Sequence, residues 1–253
     1  MKIAKFEINR TNQYGVVKDD SVYVINGNIF SNYTITDKAY ALKDVKLLAP
    51  VSPSKAVCIG INYSEHIQES NEYPIPKTPV VFLKPSTTVI GTKDAIKYPD
   101  VSTEVHYEGE LAVVIKKEAK DVIKGDALNY VLGFTCANDV SARDWQANDG
   151  CGQWTMGKSF DTFLPLGPWI DTEVDVGNLD IKTYVNGEVK QSSNTRNLIF
   201  DVATLISYIT QVMTLLPGDL IVTGTPAGVG PINKGDEVVI EIQHIGRLVN
   251  PVV

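Results

Sequence analysis

The sequence predicts a strand-rich α+β protein with a β-roll or sandwich core and few helices. Three observations carry that expectation. Short runs of β-branched and aromatic residues recur along the chain, most of them bounded by Gly, Pro, Asn or Asp. One segment alone sustains a clear helical period. No regular alternation of strand and helix appears, which argues against a doubly wound parallel sheet.

In chain order, "AKFEIN", "GVVKD" and "SVYVING" read as short strands separated by polar turns. The two prolines of "LLAPVSPSK" mark a boundary, so a small N-terminal β-rich domain over residues 1–53 and a main domain over 54–253 are expected. The main domain continues with strands at "AVCIGI", "PVVFLKP", "ELAVVIKK", "YVLGFTCANDV", "IKTYVNGEVK", "DLIVTGTP" and "EVVIEIQHIG". Asn186-Gly187, set between alternating residues, suits a two-residue type I′ hairpin turn. The helix is predicted from Val202, Leu205, Ile206, Ile209, Val212, Met213 and Leu216, with Asp201 as N-cap and Pro217-Gly218 as its end.

Composition narrows the function classes. The 253 residues, 43% of them apolar, are enough for a substantial core. A net charge of −7 with no basic run beyond a dipeptide argues against a nucleic-acid partner. The opening "MKIAKFEINR" has no apolar stretch of signal-peptide length, and nowhere do 18 apolar residues run together, so a cytoplasmic location is expected. Cys58, Cys136 and Cys151 are widely spaced and form no C-x-x-C pair, which fits reduced, buried thiols.

The stretch "HYEGELAVVI" raises the question of chemistry. Read as one strand, it places Glu108 and Glu110 on the same face as the core residues Ala112 and Val114. Two carboxylates so close repel and are costly to desolvate, unless a hard cation such as Mg²⁺ or Mn²⁺ takes them as oxygen ligands. The alternative is a solvated strand end. Asp139, following the apolar run "YVLGFTCAN", offers a third carboxylate at a strand end. In "GINYSEHIQES", Glu69 lies three residues after His66, so one helical turn would let it orient His66 as a general base. A surface His beside an unrelated Glu is the competing reading. Lys158 follows a glycine in the Pro- and Gly-bounded stretch "MGKSFDTFLPLGP", where a partly buried lysine could meet a substrate carboxylate or enolate. Arg143 and Gln146 follow soon after Asp139, and the Thr225 hydroxyl in "TGTPAGVG" could hold a carboxylate.

"GINYSEHIQE", "FLKPSTTVIG", "HYEGELAVVI", "NDVSARDWQ", "GKSFDTFLPLGP", "VNGEVKQSSNT" and "LLPGDLIVTGTPAGVG" occur in an order that closely resembles the fumarylacetoacetate hydrolase superfamily, over about residues 54 to 253. The resemblance implies that family's β-roll, a homodimer, and Mg²⁺ or Mn²⁺ held by Glu108, Glu110 and Asp139. It further implies an acid–base pair of His66 and Glu69 on a loop over the substrate, with Lys158, Gln146 and Thr225 around the substrate and Arg143 at a family position nearby. Ile61 departs from relatives that carry Arg there. Relatives cleave C–C bonds in acylpyruvates and fumarylacetoacetate, isomerise or decarboxylate 2-hydroxyhepta-2,4-diene-1,7-dioate, or decarboxylate oxaloacetate, all through a metal-stabilised enolate. The expectation here is C–C hydrolysis of an acylpyruvate-like or 2-oxo diacid substrate, with oxaloacetate decarboxylation and the dienoic isomerisation as alternatives. A non-catalytic metal-bound scaffold is the reading from another class, and the presence of His66, Glu69 and Lys158 argues against it.

Overall fold

A computed structural model describes residues 1–65, 75–147 and 152–253. The N-terminal stretch forms β1 (Lys2–Ile8), β2 (Thr11–Lys18), β3 (Ser21–Gly27), β4 (Tyr33–Ala41) and β5 (Lys46–Leu48). After the prolines come β6 (Ala56–Gly60), β7 (Val80–Lys84), β8 (Val89–Ile90), β9 (Val105–Tyr107), β10 (Gly109–Ile115), β11 (Val131–Asn138), β12 (Ser141–Ala142) and β13 (Leu164–Asp171). The last third adds β14 (Asp180–Val185), β15 (Glu188–Asn194), β16 (Leu220–Val222), β17 (Gly230–Pro231), β18 (Glu237–Ile242) and β19 (Gly246–Pro251). Among the described residues the α-helices are α1 (Arg143–Ala147), α2 (Trp154–Lys158) and α3 (Val202–Val212). None is long and apolar enough to cross a membrane.

A 12-stranded mixed sheet runs β4-β3-β2-β1-β13-β11-β10-β16-β6-β7, with β5 on β1 and β8 on β13. The N-terminal strands therefore extend the main sheet, joined where Lys2 and Ile3 pair with Asp171 and Ile170. A four-stranded sheet, β15-β14-β18-β19, and a three-stranded one, β12-β9-β17, complete the β structure.

Alternation along β10 explains why all seven of its residues are buried. Leu111, Val113 and Ile115 enter a core shared with Ile181, Ile240 and Ile242 of the second sheet and with Leu205, Ile206 and Ile209 of α3. Ala112 and Val114 enter another, shared with Ile3, Val16, Leu164 and Leu166. Each fully buried Val, Leu or Ile contributes about 1.5–3 kcal/mol, so a strand covered on both faces is a rigid mount.

Two expectations are corrected. The run from His106 to Ile115 is two strands, not one, and the chain passes from the three-stranded sheet to the large sheet at Glu108. At that joint the Asn138 side chain accepts from the Glu108 N–H at 3.0 Å, and the Asp139 N–H donates to the Glu108 carbonyl at 2.9 Å. The helix stops at Val212, before Met213 and Leu216. Leu215 instead exchanges both backbone hydrogen bonds with Ala119, each 2.9 Å, and Lys120 Nζ donates to the carbonyls of Thr210 and Gln211 at 3.0 Å. That long-range pairing overrides the helical period and satisfies the helix end. Val212 and Leu216 are left exposed.

Asp201 caps α3 by accepting from the Thr204 N–H at 2.7 Å. The hairpin turn has φ of 52° at Asn186 and 83° at Gly187, the two positive values that a type I′ turn needs. Cys58 and Cys136 are buried free thiols, and Cys151 lies outside the described residues.

Candidate active site

Glu108, Glu110 and Asp139 come together. Each offers one carboxylate oxygen, and the three oxygens lie within 4.8 Å of one another. Glu110 and Asp139 are 1% exposed and Glu108 is 6% exposed, so the solvated strand end is not what forms. Glu108 stands at the joint between sheets, Glu110 on β10, and Asp139 one residue beyond β11, its neighbour in the large sheet. Three buried carboxylates of hard oxygen chemistry fit a divalent cation such as Mg²⁺ or Mn²⁺.

Cations surround the trio. Lys158, at the last turn of α2, donates to Glu108 Oε2 at 2.7 Å and to Asp139 Oδ2 at 2.8 Å. It is packed below the Phe82 ring, 5.0 Å from its centroid, and Trp154 meets Phe82 edge-on at 5.6 Å. Burial works to lower the Lys158 pKa, but Asp139 and Glu108 outweigh it and hold the ammonium above its ordinary value. Arg143 donates to Glu108 Oε1 at 2.5 Å and to Gln146 Oε1 at 2.8 Å, one turn along α1.

Lys84, missed in the sequence reading, sits at the end of β7 and is 1% exposed. Its ammonium donates to Asp139 Oδ1 and, at 2.9 Å, to the Val140 carbonyl. Burial lowers its pKa, with the Asp139 charge working the other way and Lys158 adding repulsion. The available signal was a lysine inside the apolar run "VVFLKP", because fully buried lysines are almost always paired.

Glu110 is buried against two other carboxylates. Burial first, then repulsion from Asp139 and Glu108, pushes its carboxyl well above the ordinary value, against the pull of Lys158 and the Gly224 N–H. That N–H donates to Glu110 Oε2 at 2.5 Å. The neighbouring Thr225 hydroxyl donates to the Gly109 carbonyl at 3.0 Å.

His66 and Glu69 lie outside the described residues. The chain enters their segment at Glu65, whose carboxylate accepts from Ser193 Oγ at 2.9 Å and Asn197 Nδ2 at 2.7 Å. Ile61 adopts a left-handed φ of 57°, which is costly for a β-branched residue. His106 Nε2 is 2.9 Å from Glu104 Oε1, two residues back in the chain. His244 is a turn residue with φ of 65°.

The fold and the buried carboxylate cluster define a class. The family model described as fumarylacetoacetate (FAA) hydrolase C-terminal matches residues 55–253, and the one described as Rv2993c-like, N-terminal matches residues 1–50. The chain belongs to the fumarylacetoacetate hydrolase family. It is 48% identical over 220 residues to the mitochondrial oxaloacetate tautomerase Fahd2a of Rattus norvegicus, covering 83% of this chain and 70% of that one. The structure of 2-hydroxyhepta-2,4-diene-1,7-dioate isomerase from Mycobacterium marinum superposes with a TM-score of 0.92 at 44% identity, covering 100% of this chain and 98% of that one. Maleylpyruvate hydrolase from Sphingobium sp. SYK-6, in complex with manganese(II) ion and pyruvate, gives a TM-score of 0.82 at 30% identity, with coverage of 100% and 99%.

Proposed function

We propose that the protein is a divalent-metal-dependent enzyme that moves a proton between carbon and oxygen in a small 2-oxo diacid of the oxaloacetate class. The carrying observation is the buried trio of Glu108, Glu110 and Asp139 with Lys158 bridging two of them. A bound Mg²⁺ or Mn²⁺ would supply Lewis acidity toward the 2-oxo acid oxygens.

Among the described residues, Glu108, Glu110 and Asp139 are opposed by Lys84, Lys158 and Arg143, so a bound divalent cation would leave the site net positive there, which suits an anionic substrate. Lys158, held protonated, stabilises the charge that develops on the keto oxygen as the C3 proton leaves. His66, oriented by Glu69, is assigned the removal of that proton and the return of one to carbon or oxygen. Gln146 and Thr225 are assigned to the substrate's flank, and Arg143, tied to Glu108, to holding that ligand.

Relatives named for oxaloacetate tautomerisation and dienoate isomerisation favour proton transfer over the C–C hydrolysis first expected. Hydrolysis stays as the second reading, on the strength of the likeness to maleylpyruvate hydrolase. In that version water adds to the acyl carbonyl and the enolate of pyruvate leaves. The test follows oxaloacetate enol–keto conversion and, separately, pyruvate and acetate release from acetylpyruvate, each with Mg²⁺, Mn²⁺ and EDTA. Metal-dependent acceleration of the first alone supports tautomerisation. Release of both products with an idle first assay moves the assignment to hydrolysis, and inactivity in both removes the enzyme reading. The same proposal carries a two-domain division at residue 53, a homodimer and a cytoplasmic location, for which limited proteolysis, light scattering and cell fractionation are the checks.

A further inference from the structure

Gln191, on β15, is 1% exposed, and both ends of its side-chain amide are fully engaged. Its Oε1 accepts from the Gly109 N–H at 2.9 Å and from Thr183 Oγ1 at 2.7 Å. Its Nε2 donates to Thr225 Oγ1 and to the Pro226 carbonyl, both at 2.8 Å. The amide has one orientation only, because a backbone N–H must donate and a backbone carbonyl must accept. The Thr225 hydroxyl accepts from Gln191 Nε2 and donates to the Gly109 carbonyl at 3.0 Å.

Gly109 is the residue between the two glutamates. Its N–H belongs to the peptide arriving from Glu108, and its carbonyl to the peptide leading to Glu110. Both peptide planes that separate the two carboxylates are therefore held by the Gln191–Thr225 couple. Side chains take over here because the β10–β16 ladder pairs only Ala112 to Val114 with Val222 to Leu220. Beyond it Thr223 still donates to the Leu111 carbonyl, Gly224 turns to the Glu110 carboxylate, and Gly109 is left to Gln191 and Thr225. The middle letter of E-G-E follows from this contact. A Cβ at residue 109 would stand 2.1 Å from Thr183 Oγ1, the second donor to Gln191, and 3.2 Å from Gln191 Oε1, so a larger residue would displace Thr183 and crowd Gln191.

We infer that Gln191 is a positioning residue that sets the spacing and orientation of Glu108 and Glu110, and through them the affinity for the divalent cation, while touching neither cation nor substrate. The inference rests on the metal reading above. Loss of such an outer partner typically weakens metal affinity about 10–100-fold. A merely structural Gln191 would lower the melting temperature and leave the affinity of the folded protein unchanged.

The test is Mn²⁺ titration, read by the EPR signal of free Mn²⁺, on wild type, Gln191→Met, Thr183→Val, Thr183→Ser and Glu110→Gln, with thermal melts in parallel. Gln191→Met should bind Mn²⁺ about 10–100-fold more weakly. Thr183→Val, which frees Gln191 Oε1 from its second donor, should shift in the same direction by a smaller factor, and Thr183→Ser should restore wild-type affinity. Folded Gln191→Met with wild-type affinity overturns the inference and leaves the metal reading standing. Should Gln191→Met fail to fold, wild-type affinity in Thr183→Val has the same force. Absence of Mn²⁺ binding by wild type, or its persistence unchanged in Glu110→Gln, overturns the metal reading and the inference with it.

Discussion

Replacing Lys84 with Met tests whether the site is built on buried ion pairs. The ammonium is 1% exposed, donates to Asp139 Oδ1 and the Val140 carbonyl, and Asp139 is itself 1% exposed. Methionine keeps most of the volume and removes the charge, so among the described residues Asp139 retains only Lys158 as an ion-pair partner and the Val140 carbonyl loses this donor. Breaking a buried pair from one side costs about 3–5 kcal/mol, because the surviving charge stays desolvated. For a chain of this length each kcal/mol moves the melting temperature by about 2–4 °C, so Lys84→Met should melt roughly 6–20 °C below wild type. Circular dichroism melts in EDTA at neutral pH measure the difference with the cation removed as a variable. A melting temperature within about 2 °C of wild type would refute the reasoning, since that is less than 1 kcal/mol and belongs to an exposed pair.

Glu110→Gln should lower Mn²⁺ affinity and turnover together, and calorimetric titration that finds affinity intact would remove Glu110 from the ligand set. His66→Ala should leave Mn²⁺ binding near wild type while lowering turnover about 10²–10⁴-fold, the usual worth of a general acid–base group. Asp219 provides a pH test remote from the site. Burial works to raise its pKa, but hydrogen bonds from Lys55, Ser54 and the Leu216 N–H prevail and hold it below the ordinary value. A depressed folded-state pKa means stabilisation that is complete above the unfolded value of about 3.9 and is lost as pH falls through the folded value. Asp219→Asn should therefore be less stable than wild type at pH 7, with the gap narrowing below about pH 4 in urea titrations.

Features that depend on near neighbours were legible in the order of residues. Period-two alternation marked β10 and sent its residues to two cores, Asn186-Gly187 set the hairpin turn, and Asp201 set the start of α3. These follow from backbone sterics and from hydrogen bonds spanning a few residues, so the local order of residues contains them. The carboxylates at 108, 110 and 139 were legible too, because acidic side chains against apolar runs are costly without a purpose. The tertiary structure alone decided which cations answer them. Lys84 meets Asp139 across 55 positions, Lys158 meets Glu108 across 50, and Gln191 reaches Gly109 across 82. It also ended α3 early by pairing Leu215 with Ala119, and it broke the predicted strand at Glu108 to join two sheets. Desolvation makes a buried charge select its partner by distance in space, and no local period records that distance.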